Sequence, residues 1–192
     1  IKEARQIAKA ANFGYPGGLG AEAFASFAEG YGVSLDADRA KEIKELWFAL
    51  FPEMPLFFAR AGEIDEGERF VWLPRSRYGR GDVRFTQACN TQFQGPGASV
   101  AKDAMWHVTR ACYTDSTSPL WGSRPVNFVH DEILLESPEE RAPEAGDELA
   151  RVMIESARAW LPDVTIGASV ALMDRWHKDA KGKRDANGRL LV

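Results

Sequence analysis

The stretch that most constrains the fold runs from residue 125 to 135, where two short apolar runs flank the polar triplet His130-Asp131-Glu132. Runs rich in β-branched and apolar residues around a short polar stretch predict a β-hairpin with buried-type strands and its charges at the turn. Asp131 and Glu132 offer oxygen ligands of the kind that Mg²⁺ prefers, with open positions for phosphate. A solvated turn is the alternative, and the other segments of the chain have to decide between the two.

Length and composition indicate an ordinary globular chain. The 192 residues are enough for one or two compact units, with 27% charged and 45% apolar residues. The net charge of −4 excludes a uniformly basic surface, so phosphate contacts must come from local clusters of Lys and Arg. No run of about 18 apolar residues occurs, which predicts no membrane span.

Cys89 and Cys112 stand alone in the sequence, without the close spacing of a metal-binding or redox pair. This argues against a disulfide framework and a zinc site, and it favours a reducing, cytoplasmic location. The chain starts with Ile1-Lys2-Glu3, without Met and within a predicted helix. We therefore expect it to be an excerpt from a longer protein.

The first predicted helix covers residues 1–12 and ends near the glycines at 14–18. Arg5, Lys9 and Phe13 are spaced four residues apart, so they share one helix face. Two cations and an aromatic ring suit a nucleoside triphosphate, because the cations can meet phosphate oxygens while the ring stacks on a base or sugar. A solvated basic stripe is the alternative.

The remainder of the opening third is also predicted to be helical. Residues 20–31 carry aromatic and small side chains at core spacing: Phe24, Phe27, Ala28 and Tyr31. Asp36 or Asp38 is expected to cap a third helix that Pro52 and Pro55 break or kink, with an apolar face of Ile43, Leu46, Trp47, Leu50 and Phe51. The acidic, glycine-punctuated segment 62–67 is the predicted boundary between domains 1–66 and 67–192.

A strand at 70–73 is predicted to lead into a basic turn at 74–81. The four arginines in and after this turn favour contact with a nucleic-acid backbone, although a solvated loop is the alternative: Arg75, Arg77, Arg80 and Arg84. A helix is predicted at 96–114. Asn90 and Gln94 stand just before it, and their amides could contact acceptors in a duplex minor groove or simply cap the helix.

After the hairpin, residues 143–160 have an amphipathic pattern and 164–170 alternate as a strand does. The charged segment 177–189 is predicted to be a mobile tail. Helix, hairpin, helix and strand together predict an α+β fold with an antiparallel sheet.

Three separated segments resemble the motifs of family A DNA polymerases. Residues 5–14 (RQIAKAANFG) are similar to motif B of the fingers, 90–95 (NTQFQG) to the segment that opens the palm helix beside the duplex, and 129–132 (VHDE) to motif C of the palm hairpin. Their order and approximate spacing also agree with the family. The segments 12–20 (NFGYPGGLG) and 89–95 (CNTQFQG) are more similar to phage members of the family than to bacterial repair enzymes.

The resemblance implies a helical fingers portion at 1–66 and a palm with an antiparallel sheet at 67–192. It also implies template-directed DNA synthesis from dNTPs on a DNA template–primer. Arg5 and Lys9 would bind the incoming triphosphate, and Lys9 could donate a proton to the departing pyrophosphate. Phe13 would pack on the sugar and base, and members with Phe there discriminate against dideoxynucleotides.

On the DNA side, the resemblance implies that Asn90 and Gln94 contact the template–primer minor groove and that His130 supports the primer end. Asp131 would be the catalytic ligand of two Mg²⁺ ions, with Glu132 in a supporting role, in a two-metal displacement. The protein would act in the cytoplasm, which is the bacterial host's cytoplasm if a phage encodes it.

Two departures from the family pattern bear on these roles. The family places a Tyr four residues after the motif B Phe, where this chain has Gly17; Tyr15 lies nearby and is a candidate substitute. Motif A, which supplies the other metal-binding Asp, would precede Ile1. We therefore expect this piece alone to be inactive and to need the N-terminal remainder of the polymerase.

Other interpretations stay open at this point. A single-subunit RNA polymerase shares the hairpin Asp and a related helix, although the NFG after Lys9 and the Glu after Asp131 favour the DNA enzyme. A non-catalytic nucleic-acid-binding module would use the same carboxylates structurally. A hydrolase using His130 and Asp131 is disfavoured because no Ser or Cys nucleophile stands in a recognisable elbow.

Overall fold

The computed structural model describes residues 2–73, 75–177 and 180–191. The chain divides into two compact units, Ile1–Gly97 and Ala98–Val192. Helices predominate, and the described strands form three antiparallel pairs, which confirms the predicted α+β class. None of the helices in the described ranges has the length and apolar content needed to cross a membrane.

Four helices make up most of the first unit, and their ends follow the local sequence. Gly18, at φ +82°, ends the short 3₁₀ turn Tyr15–Gly17 in the left-handed conformation that glycine adopts without strain. The Asp36 carboxylate accepts a hydrogen bond of 2.7 Å from the Arg39 N–H, so Asp36 caps the third helix. The helices are α1 (Lys2–Gly14), α2 (Ala21–Glu29), α3 (Ala37–Leu50) and α4 (Met54–Glu66).

An aromatic cluster forms the core around α1, α2 and α3 in the first unit. The Tyr15 ring lies 4.3 Å from Phe24 and 5.5 Å from Trp47, measured between centroids. The Tyr15 hydroxyl donates a 3.0 Å hydrogen bond to the Ala40 carbonyl, and Trp47 Nε1 donates one of 3.1 Å to Asn12 Oδ1. These contacts tie α1 and the turn after it to α3.

Two details of the predicted helical region are wrong. The predicted apolar face of α3 includes Leu46 and Leu50, but they are 60% and 71% exposed, whereas Ile43 and Trp47 are buried. The buried face of α3 is therefore narrower than the apolar face that the sequence spacing indicates. The segment 62–67 is not a link: α4 continues to Glu66 because a single interior glycine weakens a helix without ending it. The boundary between domains 1–66 and 67–192 stays a prediction.

The predicted basic turn at 74–81 contains a second strand. β1 (Val71–Leu73) pairs antiparallel with β2 (Tyr78–Arg80), and Trp72 lies opposite Gly79. The sequence Tyr-Gly-Arg hides this strand because glycine is disfavoured in strands. A side chain at position 79 would collide with the Phe70 ring, at 2.6 Å from Cζ, which explains the glycine there.

Helix α5 (Phe85–Tyr113) starts well before the predicted residue 96 and contains Pro96. Its beginning is stabilised by the Gln87 side chain, which accepts a 2.9 Å hydrogen bond from the Arg84 N–H, half of a capping box. The Gly95-Pro96-Gly97 sequence, which indicates a helix start, lies inside the helix instead. The helix therefore runs across the boundary between the two units.

The predicted hairpin is present in the second unit. β3 (Arg124–Val129) pairs antiparallel with β4 (Glu132–Glu136), and the two residues His130 and Asp131 form the turn. Glu132 was predicted in the turn but begins β4 opposite Val129. The strands are not a buried pair: within them only Ile133 is buried, because one face alone packs on a core that α5 and α6 (Ala142–Trp160) supply.

The segment after α6 differs from both predictions for it. No strand forms at 164–170; alternation alone does not suffice when no neighbouring strand pairs with the segment. Of the predicted mobile tail, Lys178 and Asp179 lie outside the described residues. Residues 180–191 include a folded hairpin of β5 (Lys183–Arg184) and β6 (Leu190–Leu191). The hairpin is attached to α6 by an ion pair between Arg184 and Asp147 and by the burial of Leu190.

Candidate functional site

The outer face of α1 carries the three side chains of the segment that resembles motif B. Arg5, Lys9 and Phe13 are all exposed, while Ala10 and Ala11 on the opposite side are buried. Phe13 keeps 53% of its surface exposed, so part of its ring is accessible from solvent. This face therefore presents two cations and one ring to solvent, as the spacing predicts.

Tyr31 is a neighbour of this face that sequence reasoning assigned only to the core. The Phe13 and Tyr31 rings are stacked, with centroids 6.4 Å apart and planes 15° apart. Lys9 Nζ lies 5.7 Å from the centroid of the same Tyr31 ring. The spacing along α2 gives no sign of these contacts, because Tyr31 lies beyond the end of that helix at Glu29.

Tyr15, the candidate substitute for the family's tyrosine, is enclosed in the core. Its ring is 1% exposed, and its hydroxyl is engaged by the Ala40 carbonyl. Burial raises the pKa of the Tyr15 phenol well above its usual range, so the group stays neutral. Tyr15 is therefore a core residue in this structure.

A side chain at Gly17, the position of the family's tyrosine, would meet the amide of Asn90. A Cβ built there would lie 2.7 Å from Oδ1 of Asn90. Such a distance is shorter than real Cβ contacts, so any larger residue would displace the Asn90 amide. The glycine thus lets the amide of Asn90 lie against the turn that follows α1.

Asn90 and Gln94 lie inside α5 and not at its start, so the capping alternative is wrong. At four residues apart they share one helix face; Asn90 is half-buried and Gln94 is exposed. Arg80 donates a 3.3 Å hydrogen bond to Oγ1 of the buried Thr91. Arg80 of strand β2 is thereby hydrogen-bonded to the same helix.

The hairpin turn of the second unit holds its residues in a specific conformation. His130 has φ +57°, a left-handed conformation that costs a non-glycine residue about 1–2 kcal/mol. Asp131 and Glu132 are exposed, and the Glu132 carboxylate accepts a 3.4 Å hydrogen bond from Trp176 Nε1. Positive φ is usual in two-residue hairpin turns, so the conformation follows from the turn itself.

The hairpin carboxylates have suitable chemistry for Mg²⁺ but do not form a complete site. Both are oxygen donors with exposed side chains, which suits a hard cation that retains some of its water. Among residues 2–73, 75–177 and 180–191, no group of three or more His, Cys, Asp and Glu side chains is arranged to hold a metal ion. The described residues fit the ion only if further ligands join them.

The two cysteines do not add a second reactive centre. Cys89 and Cys112 are buried free thiols. Burial raises the pKa of Cys89 to about 11 and also raises that of Cys112. Both are therefore neutral at physiological pH and are poor nucleophiles.

Comparison with known proteins identifies the family. The sequence model of DNA polymerase family A matches residues 1–178. DNA polymerase I of Aquifex aeolicus (strain VF5) is 31% identical over 183 residues, covering 93% of this chain and 31% of the relative. DNA polymerase I of Helicobacter pylori (strain ATCC 700392 / 26695) is 27% identical over 188 residues, covering 92% of this chain and 20% of the relative.

The chain thus spans about a third or less of the length of these curated relatives. The family match includes all three motif-like segments and ends shortly before the C-terminal hairpin. Because the match extends over most of the chain, the chain belongs to DNA polymerase family A.

Proposed function

We propose that this chain is the fingers and palm portion of a longer polymerase that extends a DNA primer from dNTPs, copying a DNA template. The observation that carries the proposal is the solvent-facing row of Arg5, Lys9 and Phe13 on a helix of a family A chain. A row buried in the core, or divided between two helix faces, would not support it.

The row suits each part of a nucleotide. Arg5 and Lys9 would form charge-assisted hydrogen bonds with triphosphate oxygens, which are stronger than neutral ones. Lys9 would donate its proton to the departing pyrophosphate oxygen. Phe13 would pack on the sugar and base, and its 53% exposure leaves room for that contact.

Duplex binding would involve separate residues. Asn90 and Gln94 would donate and accept hydrogen bonds in the template–primer minor groove, where acceptor atoms are similar for all base pairs. The exposed arginines around β2 would contact backbone phosphates. His130 would support the primer end. Its left-handed conformation, with φ +57°, sets the direction in which the chain leaves β3.

Asp131 would ligate Mg²⁺, with Glu132 held beside it by Trp176. When bound, the ions supply positive charge that neutralises the phosphates and lowers the pKa of the primer hydroxyl. A pair of ions needs more carboxylates than these two, and we place the others in the N-terminal remainder of the polymerase. The phage-type origin and the cytoplasmic location stay predictions.

The decisive experiment changes Asp131 to Asn in the complete polymerase. We expect primer extension to fall about a thousandfold or more, because a neutral amide binds Mg²⁺ poorly and the Glu132 carboxylate alone leaves the ions with less compensating charge. Affinity for the primer–template, measured by fluorescence anisotropy, should stay within about twofold, because substitutions at exposed positions usually change stability little. Undiminished extension would contradict the proposal. Loss of DNA affinity and fold together would favour a structural role for the carboxylate.

The isolated 192-residue chain should not extend a primer, because Asp131 and Glu132 cannot by themselves hold two ions. A primer-extension assay with radiolabelled primer compares it with the complete polymerase. Circular dichroism must show helical structure in the isolated chain, so that inactivity is not merely unfolding. Templated synthesis by the isolated chain would refute this expectation.

Gly17→Ala in the complete polymerase should weaken primer–template use roughly tenfold, because the added methyl would displace the Asn90 amide that lies 2.7 Å away. The matched control is Gly20→Ala: nothing lies within 4 Å of its Cβ position, and its φ of −71° suits alanine. Steady-state kcat/KM for the primer–template is the measurement. Equal kcat/KM values for Gly17→Ala and Gly20→Ala would show that primer–template use does not depend on the space that Gly17 leaves for the Asn90 amide.

A further inference from the structure

Tyr31 contacts two of the three side chains on the exposed face of α1. Its ring is stacked against Phe13 with centroids 6.4 Å apart, and Lys9 Nζ lies 5.7 Å from its centroid. We propose that Tyr31 is a specificity-determining residue of the nucleotide site, which positions Phe13 and Lys9 for the sugar and the phosphates. This inference rests on the proposed polymerase function.

The stack limits where the Phe13 ring can lie. An exposed aromatic side chain on a helix can occupy more than one staggered rotamer. Offset stacking at this separation is within the range in which aromatic pairs attract one another, so it favours the rotamer that meets Tyr31. A ring already held in one position loses less freedom when a sugar packs on it, which strengthens binding.

The same ring restrains Lys9, whose side chain is long and flexible. An ammonium within about 6 Å of an aromatic centroid is attracted by the ring's electron-rich face. Tyr31 therefore holds the Lys9 charge and the Phe13 ring next to each other. A triphosphate and its sugar need the same arrangement, because the two groups are adjacent parts of one ligand.

Tyr31 itself is well anchored. Its ring packs against Phe27, with centroids 5.3 Å apart, and its N–H donates a 2.9 Å hydrogen bond to the Ala28 carbonyl. It is half-buried, so it is neither a free surface residue nor enclosed in the core. Since Gly17 provides no side chain after the motif B helix, Tyr31 supplies an aromatic neighbour for Phe13 from another part of the chain.

The test uses the complete polymerase with Tyr31→Leu and Tyr31→Phe. Single-nucleotide incorporation is measured against dNTP concentration, together with the ratio of dideoxynucleotide to dNTP incorporation. Tyr31→Leu should raise the KM for dNTP about three- to tenfold, the loss expected for one stack and one cation–π contact, and should change the ratio at least about twofold. Tyr31→Phe should restore both values, because it retains the ring.

Two controls separate this role from general destabilisation. Tyr113→Leu removes a tyrosine that is 53% exposed on α5 and should leave both readouts unchanged. Phe13→Tyr gives the size of the ratio change when the ring itself is altered. A purely structural Tyr31 would lower the melting temperature without changing the ratio. If Tyr31→Leu does not fold, Tyr31→Met replaces it, because methionine fills irregular space with a flexible side chain.

The outcomes are distinguishable. Wild-type kinetics in Tyr31→Leu, or equal defects in Tyr31→Leu and Tyr31→Phe, would overturn the role of the Tyr31 ring while leaving the polymerase proposal intact. A wild-type complete protein that incorporates no nucleotide would overturn the proposed function and this inference together.

Discussion

The fixed orientation of α1 about its own axis is the constraint on which the first unit depends. Trp47 holds the Asn12 side chain, and the buried Tyr15 is fixed to the Ala40 carbonyl just after the helix ends. With Ala10 and Ala11 packed inward, a rotation would break both hydrogen bonds and expose the aromatic core. Arg5, Lys9 and Phe13 must therefore face solvent, as the proposed nucleotide site requires.

The two units use different means to present the side chains of the proposed site. In the first unit a regular helix repeats cations and a ring on one exposed face. In the second, a two-residue turn with one left-handed residue places Asp131 at the tip of a hairpin. The paired strands β3 and β4 hold the two ends of the turn together. A hydrogen bond from Trp176 restrains the neighbouring Glu132. In both cases rigid secondary structure fixes a side chain that itself stays accessible.

Local patterns predicted the helices, the central hairpin and the shared face of α1 because these follow from neighbouring residues. Contacts between distant segments were not predictable in this way. Nothing in the sequence near Gly17 indicates that Asn90 lies 2.7 Å from its missing Cβ, or that Tyr31 meets Phe13. The strand expected at 164–170 fails for the same reason, because a strand needs a partner that alternation cannot supply.

The most direct test of the central claim is nucleotide incorporation by Lys9→Ala in the complete polymerase, with Lys41→Ala on the exposed side of α3 as the matched loss of one cation. We expect Lys9→Ala to reduce single-turnover incorporation efficiency about a hundredfold, as for loss of a charge that stabilises the transition state, with unchanged DNA affinity. Lys41→Ala should behave as the wild type does. Equal efficiencies in Lys9→Ala and Lys41→Ala would contradict the assignment of this helix face to the nucleotide.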